Sequence, residues 1–169
     1  MKKLKPPEIF LCDVDGVLTD GKFYYSESGK IMKKFGADDN DALSLLDPYI
    51  KIQFISGDKR GFSISKKRIS DDMKRPIELV STIHRIDWIK ERYDPSTVIY
   101  MGDGIFDHYV FKQVRYSIAP ANADLYALKA ASFVTRRGGG DRAVSEAVIH
   151  ILESFFKPYN RDIPPYSKG

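Results

Sequence analysis

Three short stretches of this chain gather carboxylates, a hydroxyl and glycines: Asp13-Val14-Asp15-Gly16, Ser56-Gly57-Asp58-Lys59 and Gly102-Asp103-Gly104-Ile105-Phe106-Asp107. Like charges crowded at one site repel, so such a group needs a reason to exist. A hard divalent cation supplies one: Mg²⁺ takes oxygen ligands in an octahedron and keeps waters that a substrate phosphate displaces. Asp13 and Asp15 are two residues apart, so an extended chain points both carboxylates to one side. One can attack phosphorus while the other gives or takes a proton, which is phosphoryl transfer through an aspartyl-phosphate. Asp103 and Asp107 are four apart and share a face if a helix begins between them. One of that pair can ligate the metal, and the other can orient a water ligand or a basic side chain. Ser56 and the Gly57 N–H offer neutral donors to phosphate oxygens. Lys59 is a further candidate for binding substrate.

These stretches must be brought together by the elements that precede them. Short apolar runs alternate with helical patterns, the signature of a doubly wound parallel α/β sheet covered by helices. The expected strands are 8–12, 52–55, 77–80, 98–101, 116–119 and 132–134. The three acidic stretches follow the first, second and fourth of them. In an open parallel sheet, ligands bind beyond the carboxyl ends of the strands. Helical periodicity appears at Ile83, Ile86, Ile89 and Tyr93, again at Phe106, Val110, Phe111 and Val114, and most clearly from Ala143 to Phe155. Asp141 is the expected N-cap of that last helix. One segment breaks the alternation: 22–26 and 31–35, joined by a Gly-containing turn over 27–30, read as a β-hairpin inserted after the first strand.

At 169 residues, 43% of them hydrophobic and 12% aromatic, the chain can form one domain with a substantial core. A net charge of +4 with abundant aromatics excludes disorder for most of it. The expected organisation is one domain over 1–156 and an irregular tail over 157–169. No apolar run approaches the ~20 residues that span a bilayer, and no signal-peptide core precedes Pro6-Pro7. A cytoplasmic protein without a membrane partner is expected. The single cysteine, Cys12, excludes a disulfide framework and a cysteine-rich zinc site. The pI is near 9, but Lys and Arg alternate with Asp and Glu, which describes mixed solvated faces and not a nucleic-acid-binding surface.

The chain is identified by these motifs as resembling the haloacid dehalogenase (HAD) superfamily. Asp13-Val-Asp-Gly-Val-Leu-Thr-Asp-Gly, Ile55-Ser-Gly and Gly102-Asp-Gly-Ile-Phe-Asp look like its first, second and fourth motifs. The likeness is greatest to the short capless branch typified by the 3-deoxy-D-manno-octulosonate 8-phosphate phosphatases. Tyr24, Gly29 and Phe35 of the hairpin and the segment 134–146 fit that branch too. The resemblance implies a HAD-like Rossmannoid sheet without a cap domain, carrying a Mg²⁺-dependent phosphatase of small phosphorylated metabolites. It implies Asp13 as nucleophile and metal ligand, and Asp15 as general acid/base with its backbone carbonyl on the metal. Asp103 becomes the third protein ligand, Asp107 supports the metal or its waters, and Ser56 holds the transferring phosphoryl. It also implies a homo-oligomer, a tetramer whose subunits roof one another's sites. The hairpin aromatics Phe23, Tyr24, Tyr25 and Phe35 suit such an interface.

The chain departs from that pattern in three places. The third motif's lysine, which neutralises nucleophile and phosphate, is missing near Thr82. Arg85 is the expected substitute, because a guanidinium can pair with phosphate and carboxylate together. His84 is the second choice, and Lys90 reads as a surface residue. Arginines of the branch are replaced by 37–41 and by Asp58, which points away from an eight-carbon keto-acid phosphate as substrate. Two rival functions remain open: a phosphotransferase or mutase on the same scaffold, and a degenerate member kept for assembly.

Overall fold

The computed structural model describes residues 6–163. Six parallel strands form one sheet: β1 (Ile9–Asp13), β4 (Lys51–Ser56), β5 (Ile77–Leu79), β6 (Val98–Met101), β7 (Tyr116–Ala119) and β8 (Phe133–Val134). Their spatial order is β5-β4-β1-β6-β7-β8. The chain winds outward from β1 through β4 to β5, then returns to the other side of β1 and winds through β6 to β8. The order therefore reverses at β1 and β6, where an open sheet of this kind leaves its crevice. The doubly wound parallel sheet expected from the sequence is the one found.

Strands buried on both faces should be largely apolar, as β6 and β1 up to Asp13 are, while β4 and β7 add the buried polar residues Gln53, Ser56 and Ser117. Phe10 and Cys12 of β1 face one layer, with Phe54, Ile99 and Met101. That layer is closed by α1 (Asp38–Leu46) and α6 (Ala143–Phe155). Ile9 and Leu11 face the other, with Ile55 and Tyr100, under α3 (Arg85–Arg92), α4 (Asp107–Phe111) and α5 (Leu125–Ala130). The α6 stripe of Ala143, Val144, Ala147, Val148, Ile151 and Leu152 is buried as its spacing requires. Its expected N-cap is corrected. Arg142, at φ 69°, occupies the cap position. Asp141 instead donates its backbone N–H to the Gly138 carbonyl and pairs with Arg137 at 3.6 Å.

Helices α1 and α2 (Phe62–Lys66) carry too few periodic apolar residues to show in the sequence. Acidic Asp38, Asp39 and Asp41 fill the first turn of α1, where the helix dipole favours negative charge. Ile83 is exposed, so the stripe expected of α3 begins only after it.

The hairpin is present, with a tighter turn than expected. β2 (Tyr24–Ser26) pairs antiparallel with β3 (Gly29–Met32), and the turn is Glu27-Ser28. Gly29 takes φ 114°, a conformation open to glycine, so the second strand starts there and not at Ile31. Phe35 returns to the domain through a bridge to Thr19 and packs on the core. Tyr24, Tyr25, Ile31 and Met32 remain exposed. The tail holds no helix or strand over 157–163, and Pro164, Pro165 and Tyr166 lie outside the described residues. Among the described residues no helix is long and apolar enough to cross a membrane.

The loop that carries Asp15 is braced from behind by distant backbone. The Gly140 N–H donates to the Val17 carbonyl at 3.1 Å, and a Cβ on Gly139 would lie 1.9 Å from the Gly16 carbonyl oxygen. Both partners are main chain and cannot swing aside. Gly139→Ala is therefore expected to lower stability by about 3 kcal/mol, the scale of a forced overpacking. Denaturant unfolding measures it, and Gly138→Ala, which meets only the Asn122 side chain, should cost less.

Candidate active site

Strand register sets the site before any side chain is considered. Asp13 pairs with Ile55, so Ser56 lies one step beyond it on β4; Cys12 pairs with Met101, so Asp103 follows β6 at the same end. A cavity of about 320 Å³ opens there, lined by Asp13, Asp15, Arg85, Asp103 and Asp107 with Phe23 and Phe106 at its mouth. Asp13, Asp103 and Asp107 each offer an oxygen within 4.8 Å of the others, a spacing that suits one cation. Gly16 makes this possible: a Cβ there would lie 1.9 Å from the Asp103 carboxylate, and its φ of 84° suits glycine.

Arg85, on the first turn of α3, is almost completely buried and reaches into this cluster. Its Nη1 donates to Asp13 Oδ2 at 2.7 Å, to Asp107 Oδ1 at 3.0 Å and to the Tyr100 hydroxyl at 2.6 Å. The structure thus puts Arg85 where the missing lysine's task needs a cation. His84 and Lys90 are exposed. Tyr100 donates in turn to Asp107 Oδ1 at 2.6 Å, and the Gly104 N–H donates to Oδ2 at 2.7 Å. Asp107 is thereby oriented from three directions.

One guanidinium does not balance three carboxylates. Burial, then the charges of Asp13 and Asp107, push the Asp103 carboxyl up to about 8. Asp13 is raised to about 6 by burial, held back by Arg85 and raised further by Asp107. Burial alone would lower the Arg85 guanidinium, but Asp13, Tyr100 and Asp107 carry it well above its ordinary value. The set lacks positive charge, and its hard oxygen donors fit a divalent cation such as Mg²⁺.

Asp15 turns away from the cluster. Its Oδ2 accepts from Ser56 Oγ at 3.0 Å, and its Oδ1 lies 2.7 Å from Lys33 Nζ. The carboxylate is therefore held apart from the metal-binding cluster, and only the Asp15 backbone carbonyl remains for the metal role that the resemblance implies. Ser56 is fully buried and also accepts the Asp58 N–H at 3.2 Å, while Gly57 lines the cavity. Lys59 is not brought in: its N–H bonds back to the Gly57 carbonyl at 3.1 Å, and this turn leaves its side chain exposed outside the cavity.

Three groups at the site went unmarked in the sequence. Lys33 and Lys30 reach in from the hairpin to Asp58, where their ammonium groups outweigh burial and hold its carboxyl below the usual range. Tyr100 is the third. A tyrosine in an otherwise apolar inner strand needs a partner for its hydroxyl, and that was its only signal.

No family model matches the chain. A 3-deoxy-D-manno-octulosonate 8-phosphate phosphatase of Yersinia pestis is 31% identical over 155 residues, 85% of this chain and 79% of the relative. The chain is a member of the haloacid dehalogenase superfamily. The corresponding phosphatase of Haemophilus influenzae is 29% identical over 90% of this chain and 87% of its own length. Its cobalt-bound structure superimposes on this HAD domain with a TM-score of 0.76 at 28% identity, covering 89% and 90% of the two chains. A Moraxella catarrhalis structure in complex with magnesium ion, phosphate ion and KDO shares the fold, with a TM-score of 0.75 at 24% identity over 87% and 86%.

The raised carboxyls give a pH dependence with a definite sign. In the metal-free protein, Asp13 and Asp103 keep protons that the unfolded chain loses above its ordinary value of 3.8. Stability contributed by these groups therefore falls as pH rises from about 4 to about 8. A bound divalent cation removes that penalty, most of all where both groups are ionised. The rise in melting temperature on adding Mg²⁺ should be larger at pH 8.5 than at pH 6, and calorimetric binding at pH 6.5 should release protons to the buffer.

Proposed function

We propose that this chain is a Mg²⁺-dependent phosphomonoesterase acting on a small phosphorylated sugar or sugar acid through a phosphorylated Asp13. The observation that carries the reading is the contact of a buried Arg85 with Asp13 at 2.7 Å, beside an acidic cluster of cation-binding size. Membership of a family whose named relatives are phosphatases supports it. Arg85 also weighs against a degenerate assembly protein, since the charge whose absence favoured that reading is supplied by another residue.

The chemistry divides among the chain's own residues. Arg85 aims the Asp13 carboxylate and offers Nη2, 3.4 Å from Asp13 Oδ1, to a phosphoryl oxygen. Asp13 attacks phosphorus and the bond to the ester oxygen breaks, while Asp15 gives that oxygen its proton. Asp15 then takes a proton from water, which attacks the acyl phosphate and restores Asp13. Ser56 Oγ and the Gly57 N–H hold the transferring oxygens. Asp13, Asp103, Asp107 and the Asp15 carbonyl would hold Mg²⁺, which supplies charge neutralisation for the transferring group.

The reading includes a homo-oligomer, a tetramer by family resemblance. The exposed apolar side chains of the hairpin, Tyr24, Tyr25, Ile31 and Met32, support it. Light scattering on the purified chain measures that state, and Tyr25→Glu should shift it toward monomer.

Release of inorganic phosphate from a panel of sugar phosphates tests the activity. Asp13→Asn should lower turnover at least ~10³-fold with the fold intact, the scale seen when an acting nucleophile is removed. A chelator should abolish turnover and Mg²⁺ restore it. Isomerised ester without free phosphate would instead favour a mutase.

A further inference from the structure

Lys33 is an unusual place for a positive charge. It follows directly after β3, yet its side chain is completely buried. Its ammonium lies 2.7 Å from Asp15 Oδ1, 2.8 Å from Asp58 Oδ2 and 2.8 Å from Ser65 Oγ. The contact with Ser65 is a hydrogen bond, and those with the two carboxylates are ion pairs. Burying such a group is costly unless every donor is paired, and apolar contacts anchor a hairpin at less cost. Anchoring alone does not account for a buried charge set between one oxygen of Asp15 and one of Asp58.

The two oxygens of Asp15 have different company. Oδ1 faces Lys33, which can only donate. Oδ2 faces the Ser56 hydroxyl at 3.0 Å, which donates to an ionised oxygen and accepts from a protonated one. A proton on Oδ1 would stand against the ammonium, whereas a proton on Oδ2 keeps its partner in either state.

We propose that Lys33 is the positioning residue of the acid/base step: it fixes Asp15 by Oδ1, so that Oδ2 alone carries the proton exchanged with the leaving group and with water. This rests on the acid/base role given to Asp15 above. It makes the hairpin part of the catalytic machinery, because Lys33, directly after β3, orders Asp15. Lys30 strengthens the arrangement from β3 itself, pairing with Asp58 and lying 3.2 Å from the centre of the Phe23 ring.

Leaving-group dependence separates positioning of an acid from general damage. Phenolate departs poorly without a proton and 4-nitrophenolate departs readily, and kcat/KM reports transfer to Asp13 without the later hydrolysis. With Mg²⁺ present, Lys33→Met should lower kcat/KM for phenyl phosphate about 30-fold, within the range of a general acid's contribution, and for 4-nitrophenyl phosphate under about 5-fold. Ser65→Ala, which removes only one acceptor from Lys33, should give the same imbalance at about 3-fold against an unchanged nitrophenyl value. It decides the matter if circular dichroism shows that Lys33→Met does not fold. Equal losses on both esters, or no loss, overturn the positioning role while leaving the phosphatase reading standing. A wild-type protein inactive on both esters and on the sugar-phosphate panel overturns both.

Discussion

Electrostatic crowding at the carboxyl ends of β1 and β6 governs this molecule. Asp13, Asp103 and Asp107 approach within a few ångströms in a poorly solvated pocket, and among the described residues the cation that pairs with them is Arg85, at Asp13 and Asp107. Isolated buried charges cost far more than a small domain can bear, so the group persists only through pairing, protonation or a bound cation. Arg85 pairs with Asp13 and Asp107, burial raises the Asp13 and Asp103 carboxyls toward their protonated forms, and the oxygens of the three carboxylates are spaced to hold a cation. Reactivity and instability have the same source here, since a site that lacks positive charge is also one that draws a divalent cation and a phosphate ester together.

The fold's contribution is to make that crowding geometrically unavoidable. Parallel register places the ends of β4, β1 and β6 side by side, and the reversal of winding leaves space above them. A further carboxylate, Asp15, is set apart from the metal-binding group by its own partners, Ser56 and Lys33. One loop thus presents two chemically distinct acids two residues apart. That division of labour depends on Ser56 and Lys33 as much as on Asp15 itself.

How much of this could be read from the residues depended on whether the signal was local. The buried strands announce themselves as apolar runs, and the motifs sit at their ends, so the sheet and the acidic stretches were legible. Arg85 could be inferred only because a charge was missing nearby. Lys33 could not, because Ile31-Met32-Lys33-Lys34-Phe35 looks like a solvated edge and nothing nearby marks its partners at Asp15 and Asp58. Lys59 misled for the converse reason: proximity in sequence to Ser56 counted for little once the Gly57 turn sent its side chain outward. Asp141 had the right type for a cap but the wrong backbone, since Arg142 takes the left-handed conformation ahead of α6.

The glycine contacts behind the catalytic loop reach across most of the polypeptide, from Gly139 and Gly140 back to 16–20. Contacts of such long sequence separation form late, because the intervening chain must first be ordered. On a ribosome, the Asp13–Asp15 segment emerges early but lacks its backing until the stretch before α6 has been made. The order of the loop that bears Asp15 is thereby tied to the folding of a stretch far along the chain.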